Sequence, residues 1–549
     1  MVRNRILFAL CALTLAASPA INAAQPKLIV VISLDQFRYD YIARFRSHFG
    51  KNGFNYFLAN GANFVNASFK HATNTTGPGH AAMLSGTYGN ANGIIANDWY
   101  DRDSAEWMYC AEDKSVAIVG ASGEGRSPRN FIGSTLGDEL RLKYGFAAKV
   151  ISLSNKDRAA IYMAGRMPTG AFWMRESSFV TSTYYMNTLP PWVQKFNQTK
   201  YINSFFGKTW NNKLPDSAYK FVDKDDAPYE KNEDGSGTTF PHRITGLDTS
   251  KITSSYYGAL IRSPYGAIVV RELAKQALAA EQLGQRGVTD MLCVSFSSPD
   301  YVGHAYGPHS QEVMDMALQM DEILADFLSY IDKNVGLKNC IFALTADHGV
   351  SPIPEYILAR QPKADVGRIP GKDIADYCSN ILTKRFGQPK AGMKWIDALA
   401  ANNIYISRAT IDAMGVPTLE WAAQEIAESL RTFRGIAAVY TSNELIQYQA
   451  TTPIEQKMKR SFRKLRSGDV IYALKPYWTE GTDPSGASHG EPYDADAHVP
   501  VIFVGEGIRK GTYATEASPI DIGPTLSALL GIEFPAGREG RVLMEAIKF

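Results

Sequence analysis

Five short runs of apolar residues, each bordered by a polar residue, constrain the fold of this chain more than any other feature. Continuous apolar runs of this length are typical of strands buried on both faces, as in a parallel sheet covered by helices. Helical patterns intervene, for example at 310–332 and 418–434. The sequence therefore predicts an α/β fold with a central, mostly parallel sheet sandwiched by helices. The five runs lie at residues 28–34, 148–153, 291–296, 340–345 and 499–504.

Two long stretches interrupt this alternation. Residues 168–260 are rich in Tyr, Trp, Asn, Lys and Asp and have weak periodicity, and residues 355–485 contain helices and strands of their own. We interpret both as insertions that form a cap beside the main sheet, within one catalytic domain of residues 25–549. In such sheets ligands bind beyond the carboxyl ends of the strands, so the polar residues there are candidates for one shared site.

Residues 1–24 have the pattern of a secretory signal peptide. Arg3 and Arg5 supply the positive start, residues 6–17 are apolar, and small residues at 20–24 offer cleavage sites. The alternative is a short transmembrane anchor, but the run is shorter than the ~20 residues that a membrane span needs. We therefore predict a cleaved signal and a periplasmic or secreted protein without stable membrane insertion.

Charge and cysteine content narrow the classes of partner. Cleavage would remove two of the 57 basic residues and none of the 55 acidic ones, which leaves the mature chain without net charge. Neutrality gives no support for binding to nucleic acid or membranes, so an anionic substrate must be held by a local site. No CxxC motif is present, and zinc sites built on thiolates are not expected. We expect small-molecule substrates and a monomer.

Acids and histidines gather around the ends of the predicted strands. Within Asp300-Tyr-Val-Gly-His304, the acid and the histidine lie four residues apart and could face one metal. Each residue alone favours a turn, a helix cap or a satisfied core position, and their conjunction favours a metal centre. Oxygen and imidazole ligands suit catalytic zinc, and the set exceeds what one tetrahedral ion uses, so two metals are predicted. The set comprises Asp35, Asp300, His304, Asp347, His348 and His489.

A hydroxyl group lies at the start of a predicted helix, in Thr75-Thr76-Gly77-Pro78-Gly79-His80. Free backbone N–H groups and the helix dipole make such a position a ready anion site. The alternative is that Thr76 merely caps the helix, which this segment considered alone would favour. The neighbouring metal-type ligands instead favour Thr76 as a nucleophile.

In this order, these segments resemble the alkaline phosphatase superfamily over nearly the whole mature chain. The TxPxH motif matches residues 76–80, DxxGHxxGP matches 300–308, DHG matches 347–349, and the superfamily's closing helix resembles 520–532. The Cys/Ser-x-Pro-x-Arg signature of sulfatases is absent. The resemblance implies an alkaline-phosphatase-like fold and phosphoester hydrolysis at two zinc ions.

Within the superfamily, the chain most resembles the bacterial phosphate-irrepressible alkaline phosphatases, which use a threonine. The resemblance implies that Asn97, Lys156 and Arg158 hold the substrate phosphate. It also implies one zinc bound by an acid and two histidines, and a second zinc with Thr76 Oγ1 as a further ligand. The first set is Asp300, His304 and His489, and the second is Asp35, Asp347 and His348.

The implied reaction is the hydrolysis of phosphate monoesters by double displacement through a covalent phosphothreonine at Thr76. Lys156 and Arg158 lie two residues apart, and in an extended segment both would point to one side. A phosphodiesterase or nucleotide pyrophosphatase is the main alternative, and a non-catalytic periplasmic binding or adhesion module is a further one. Because a diester has one anionic oxygen fewer, the Lys/Arg pair favours the monoester. The complete ligand set argues against the binding module.

Overall fold

The computed structural model describes residues 25–548, so the predicted signal peptide lies outside the described residues. The predicted fold class is confirmed: helices flank a large central sheet of eleven strands. Five central strands run parallel to one another, and the other pairings are antiparallel except for the one at the far edge. In spatial order the strands are Gly511–Tyr513, Ala62–Phe64, Val501–Gly505, Cys340–Thr345, Leu28–Leu34, Asp290–Phe296, Val150–Ser154, Gly170–Arg175, Ser178–Ser182, Glu112–Val119 and Glu124–Arg126.

The predicted run at 499–504 pairs antiparallel with its neighbour. Val501–Gly505 runs against Cys340–Thr345, whereas the other four predicted runs belong to the parallel centre. Both kinds of strand are buried on two faces, so continuous apolar runs alone do not distinguish them. The direction of the strand Val501–Gly505 therefore depends on how the chain connects it to the rest of the sheet, which its apolar run does not indicate.

The central strand Leu28–Leu34 explains why the apolar runs are continuous. Val30 and Ile32 enter the core on one face of the sheet, and Ile29 and Val31 enter the core on the other. Alternate side chains of a strand point to opposite faces, so a sheet covered on both sides needs apolar residues at every position. Burying each such side chain contributes about 1.5–3 kcal/mol.

Helices cover both faces of the sheet. Pro264–Ala280 and Gln311–Asn334 pack on one face, and Thr76–Ser85, Leu136–Lys143 and Ile522–Leu530 pack on the other. The remaining α-helices are Tyr39–Phe45, Phe54–Asn60, Gly89–Asn92, Asp157–Ala164, Pro191–Gln198, Ser254–Ile261, Ser298–Tyr306, Pro354–Arg360, Gly371–Phe386, Arg408–Ala413, Leu419–Leu430, Ser442–Gln447, Pro453–Ser461 and Asp494–Ala497.

The register of the parallel strands aligns their carboxyl ends. Ser33 lies beside both Ser295 and Thr345, and Ser295 lies beside Ser154. The segments that follow these four residues therefore leave the sheet at one edge. They carry the acids, the histidine and the lysine that the sequence places after its strands.

The two stretches interpreted as insertions differ in structure. The first contributes Gly170–Arg175 and Ser178–Ser182 to the main sheet. The second contains a separate four-stranded sheet with its own apolar core. Its strands are, in spatial order, Ile396–Ala400, Asn403–Ile406, Val470–Leu474 and Ile436–Thr441. The boundaries 168–260 and 355–485 stay predictions.

The remaining strands form three small two-stranded sheets. Thr209–Trp210 pairs with His242–Arg243, Gly367–Ile369 with Trp478–Glu480, and Asp98–Asp101 with Glu106–Tyr109. Cys110, Cys293, Cys340 and Cys378 are buried free thiols. Across residues 25–548, no helix has the length and apolar character that crossing a bilayer requires.

Candidate active site

Thr76 is the first residue of the helix Thr76–Ser85, and its side chain does not cap that helix. Thr75 holds the extended N-cap position. The following glycine-rich turn allows the helix to approach the strand ends, because a Cβ atom on Gly79 would lie 2.1 Å from the carbonyl oxygen of Asp347. The Thr76 hydroxyl is consequently brought to the sheet edge in a buried position.

Three nitrogen groups surround the Thr76 hydroxyl. Its Oγ1 lies 3.3 Å from Lys156 Nζ, 3.4 Å from Arg158 Nη2 and 3.5 Å from His348 Nε2. These side chains come from two different strand ends, so the hydroxyl lies where the separate segments converge. A group bound beside this oxygen would contact two fixed cations.

Asp300, His304 and His489 form one group that could hold a metal ion. Asp300 and His304 lie one turn apart on the helix Ser298–Tyr306, and Asp300 Oδ1 is 3.3 Å from His304 Nε2. His489 Nε2 is 3.2 Å from His304 Nε2 and 3.7 Å from Asp300 Oδ1. The predicted first ligand set is thus brought together in space.

Asp35, Asp300 and His348 form a second such group, which shares Asp300 with the first. Asp35 Oδ1 lies 3.5 Å from His348 Nε2. The resemblance instead implied Asp347 in this set. Asp347 Oδ1 accepts hydrogen bonds from the backbone N–H groups of Gln36 and His348, while its Oδ2 lies 3.4 Å from His348 Nε2. One Asp347 oxygen therefore stays directed at the same histidine nitrogen.

The ring orientations fit a metal ion. The Nδ1–H groups of His304, His348 and His489 donate to the carbonyl oxygens of Ala487, Gly349 and Asn74, each at 2.8 Å. In a neutral imidazole the other nitrogen then carries the lone pair, and in all three rings that nitrogen is the Nε2 atom facing the carboxylates. Neutral imidazole is the form that binds metals.

Buried carboxylate oxygens without hydrogen bonds support the same fit. Neither oxygen of Asp35 accepts an aligned hydrogen bond, although Oδ2 lies 2.7 Å from the Lys156 ammonium, and Oδ2 of Asp347 also has none. Buried charges of this kind are costly unless they are paired or coordinate metals. Oxygen and imidazole donors without sulfur suit zinc, which accords with the sequence.

The pKa values of two carboxylates beside Lys156, those of Asp35 and Asp300, are shifted in opposite directions. Burial and the nearby Asp347 raise the pKa of Asp35 well above its usual value, with Lys156 acting against them. Burial would also raise the pKa of Asp300, but Lys156 and His304 hold it well below. The Lys156 ammonium, 2.6 Å from Asp300 Oδ2, has its own pKa raised by the two acids despite its burial. Lys156 therefore remains charged inside the site.

Lys156 and Arg158 converge, but not in the way that the spacing predicted. Lys156 has an extended backbone, whereas Arg158 lies in the first turn of the helix Asp157–Ala164, so the segment is not a continuous strand. The turn into the helix aims both side chains at Thr76 Oγ1. The extended-segment argument was wrong in its geometry, because it ignored the helix that begins directly after Lys156.

Asn97 lies beside the start of the helix Thr76–Ser85. Its Oδ1 accepts a 2.7 Å hydrogen bond from the backbone N–H of Gly77, which leaves the side-chain NH₂ group to donate elsewhere. Arg158 Nη1 donates to the hydroxyl of Tyr109, which in turn bonds Asp157. The predicted phosphate-binding residues are thus all close to the helix that begins with Thr76.

Three neighbours of the site received no role from the sequence. Gln36 Nε2 donates to Asp300 Oδ1 at 2.8 Å, His80 Nδ1 lies 3.2 Å from Asp347 Oδ2, and Tyr109 contacts Arg158. His80 lies within the TxPxH motif and Gln36 follows a predicted ligand, so position could have indicated both. Tyr109 comes from a distant hairpin, and no sequence signal points to it.

Open space adjoins Asp300, His304 and His489, which we call the first metal-type group; Asp35, Asp300 and His348 are the second. A cavity of about 400 Å³ is lined by Tyr301, His304 and Lys231 among other residues. A second, of about 150 Å³, borders His489 and Asn402. An alcohol attached to a phosphate at Thr76 would have room on this side.

Comparison with known proteins decides the family. The sequence profile of the type I phosphodiesterase / nucleotide pyrophosphatase family matches residues 29–479. The chain belongs to this family. It lies within the alkaline phosphatase superfamily, as the motifs of the sequence indicated.

Two relatives of this chain are bacterial proteins that are named alkaline phosphatases. Alkaline phosphatase PhoV of Synechococcus elongatus is 35% identical over 96% of this chain and 94% of its own length. Alkaline phosphatase PafA of Elizabethkingia meningoseptica is 32% identical over 95% of both chains. The crystal structure of wild-type PafA covers 96% of this chain and 99% of its own, with a TM-score of 0.90 and 31% identity. The chain is therefore a phosphatase of the hydrolase class.

A more distant structure shares the fold. Murine ectonucleotide pyrophosphatase/phosphodiesterase 5 covers 95% of this chain and 100% of its own, with a TM-score of 0.53 and 13% identity. At this identity the likeness concerns the fold alone. Fold does not determine which phosphoester is cleaved, so the choice of substrate depends on the site residues.

Proposed function

We propose that this phosphatase hydrolyses phosphate monoesters, with Thr76 as the nucleophile and two zinc ions as cofactors. The observation that carries the proposal is the convergence on Thr76 Oγ1 of Lys156, Arg158 and a metal-type ligand, His348, within 3.5 Å. The kinship with PhoV and PafA, both named alkaline phosphatases, supports the reaction class.

The donors form two groups that would each hold one ion, and Asp300 lies within reach of both groups. Asp300, His304 and His489 would hold one zinc, and Asp35, Asp347 and His348 would hold the other, with Asp300 near both. When bound, zinc at these positions would lower the pKa of the attacking hydroxyl and stabilise the oxygen of the leaving alcohol. Each of the three histidines in its neutral form would present an Nε2 lone pair, because its Nδ1–H group already donates to a backbone carbonyl.

The chain's own residues carry out a double displacement. Thr76 Oγ1 forms a bond to phosphorus and its hydroxyl proton passes to solvent, while the phosphorus–oxygen bond of the ester breaks and the departing alkoxide takes up a proton from solvent to become the alcohol. Water then attacks phosphothreonine from the same side as the departed alcohol, which returns Thr76 and inorganic phosphate. Lys156 and Arg158 stabilise the equatorial oxygens in both steps, and the NH₂ group of Asn97 supplies a further donor.

A second structure of PafA supports the assignment of these four residues. That PafA variant carries substitutions at a threonine, an asparagine, a lysine and an arginine, and its structure aligns with this chain at a TM-score of 0.88. The spacing from threonine to asparagine equals that from Thr76 to Asn97, and the lysine and arginine are spaced like Lys156 and Arg158. The four positions thus agree in residue type and order, and in spacing within each of the two pairs.

Export to the periplasm or medium and a monomeric state also stay predictions. The signal-like residues 1–24 are the basis for predicting export. The cations Lys156 and Arg158 lie together at one site, which is consistent with a small-molecule substrate. A shift of apparent mass on secretion, measured by mass spectrometry of the exported chain, would locate the cleavage.

Removal of metal tests the two-zinc proposal. Chelation followed by gel filtration is expected to abolish turnover of an aryl phosphate, and two equivalents of zinc per chain should restore it. The donors that fit zinc are the three Nε2 atoms and the buried carboxylates. Elemental analysis alongside the assay gives the stoichiometry. Full turnover by a sample that holds no metal would refute the proposal.

The Lys156 and Arg158 pair tests the preference for monoesters over diesters. Lys156→Ala and Arg158→Ala are each expected to reduce kcat/KM for an aryl phosphate on the order of 10²–10³-fold, the usual effect of losing one preorganised donor. The aryl methyl diester should lose far less, because an alkyl group replaces one anionic oxygen. The comparison of the two kcat/KM ratios is the measurement.

Lys149→Ala is the matched control for that pair. Lys149 directly precedes the strand Val150–Ser154, at the end opposite Lys156, and pairs with Glu281 at 2.6 Å. We expect its kcat/KM to stay near that of the wild type for both esters. Equal losses for both esters in the two active-site variants would mean that the pair does not recognise phosphate charge. A wild type faster on the diester would favour the phosphodiesterase alternative.

A further inference from the structure

The two loops that carry His348 and His489 are joined by one buried side chain and by main-chain hydrogen bonds, among them a 3.2 Å bond from the N–H of Ser351 to the carbonyl oxygen of Ser488. The imidazole rings of these residues stack with their centroids 3.7 Å apart and their planes at 16°. His348 follows the strand Cys340–Thr345, whereas His489 lies more than a hundred residues later, after the separate four-stranded sheet. Their relative position therefore depends on contacts between the two loops.

Asp496 supplies the side-chain link from a fully buried position. Its Oδ2 accepts hydrogen bonds from the backbone N–H groups of Gly490, at 3.0 Å, and Glu491, at 2.9 Å. Its Oδ1 accepts from Ser351 Oγ at 2.8 Å. One carboxylate thus bonds the residues that directly follow His489 and a residue of the loop that carries His348.

The backbone around Asp496 strengthens the same link. The carbonyl oxygen of Asp496 accepts a 2.7 Å hydrogen bond from the N–H of Gly349, the residue after His348. A Cβ atom on Gly349 would lie 2.3 Å from the carbonyl oxygen of Ala495, so only glycine permits this approach. The His348 loop is held by both the main chain and the side chain of Asp496.

We infer that Asp496 is a positioning residue that sets the separation of His348 and His489, and hence of the two metal groups. The inference rests on the proposed two-zinc function. Asp496 does not touch the reacting atoms: it acts through Ser351 on one loop and through two amides on the other. Residues that orient metal ligands in this way typically change metal affinity or activity about 10–100-fold when they are mutated.

Three substitutions test the side-chain hydrogen bonds of Asp496 together and separately. Asp496→Ala removes all three side-chain hydrogen bonds and is expected to weaken zinc binding and lower kcat about 10–100-fold. Asp496→Asn should rescue most of both, because its oxygen can accept from the two amides and its NH₂ group can donate to Ser351 Oγ. Ser351→Ala removes only the side-chain hydrogen bond to the His348 loop, leaves its main-chain bonds in place, and should give a smaller loss. If Asp496→Ala does not fold, the Ser351 variant still tests the link.

Asp290→Ala is the control for general loss of a buried carboxylate. Asp290 is also fully buried, and it accepts hydrogen bonds from the N–H groups of Lys149 and Gly284 at the amino end of its strand, away from the site. This variant is expected to lose thermal stability while its zinc affinity and kcat per folded molecule stay near the wild-type values.

Competition with a chromophoric zinc chelator, together with kcat and KM, is the measurement. Weakened zinc binding in Asp496→Ala, recovery in Asp496→Asn and little change in Asp290→Ala would support the inference. Unchanged zinc affinity in folded Asp496→Ala, or an equal loss in Asp290→Ala, would overturn it alone. A wild type that does not bind zinc would overturn the proposed function together with it.

Discussion

Thr76→Ala is expected to lower turnover of an aryl phosphate by up to about 10⁶-fold, the order of the loss in kcat when a covalent nucleophile is removed from a hydrolase. The substitution deletes the oxygen on which Lys156 Nζ and Arg158 Nη2 converge, while both cations and the acids and histidines of the two metal-type groups remain. Thr76→Ser keeps the attacking oxygen and should retain much of the activity. Steady-state assays of the two variants measure the difference.

A phosphorylated peptide provides the second readout for Thr76. Wild-type enzyme that is quenched with acid during turnover should carry phosphate on the peptide containing Thr76, and Thr76→Ala should carry none. Thr75→Ala is the control: the adjacent Thr75 hydroxyl is buried without a hydrogen-bond partner, and its loss should leave the phosphopeptide intact. Near-normal turnover by Thr76→Ala would show that water attacks phosphorus directly.

Asp300→Ala is expected to lose both zinc ions, whereas His489→Ala should lose one. Asp300 belongs to both metal-type groups, with Oδ1 directed at His304 and Oδ2 bonded to Lys156, while His489 belongs to the first group. Removing the Asp300 carboxylate also leaves the positive charge of Lys156 paired with Asp35 alone. Repulsion from this charge would weaken the binding of a zinc ion nearby. Zinc per chain, measured by elemental analysis after gel filtration, distinguishes the variants.

A third variant tests whether removing any acid near the site, rather than a metal ligand, is enough to lose zinc. Asp157→Asn removes one charge beside the site at a residue that contacts Tyr109 and Arg126 but belongs to neither metal-type group. It should keep two zinc ions. If Asp300→Ala retains one tightly bound zinc, then Asp300 serves a single ion and the two groups are independent, as the resemblance alone implied.

Family membership by itself leaves the substrate open. The matched family is named for phosphodiesterases and nucleotide pyrophosphatases, while PhoV and PafA are named alkaline phosphatases. All of these activities can be carried by one fold, so the decision lies with the groups around the phosphate. Two cations within 3.4 Å of Thr76 Oγ1 favour an ester with the larger negative charge, which is the monoester.

Several features of the protein were accessible from the sequence because they depend on local pattern. Apolar runs such as Leu28–Leu34 require burial on both faces, and this predicted the covered sheet. The four-residue spacing of Asp300 and His304 indicated that both could face one metal, and in the structure their side chains lie 3.3 Å apart. The superfamily and the class of reaction also followed from motifs in a fixed order.

Long-range arrangement was decided by the tertiary structure. The direction of Val501–Gly505, the turn that directs Arg158 into a helix and the contact of Tyr109 with Arg158 depend on residues distant in the chain. The same holds for Asp496, which bonds two loops that the sequence separates by more than a hundred residues. Sequence alone determined which donors this protein has, because donor chemistry belongs to the residue. Packing decided which donors lie together, because distances within a few ångströms arise only when the sheet aligns its strand ends.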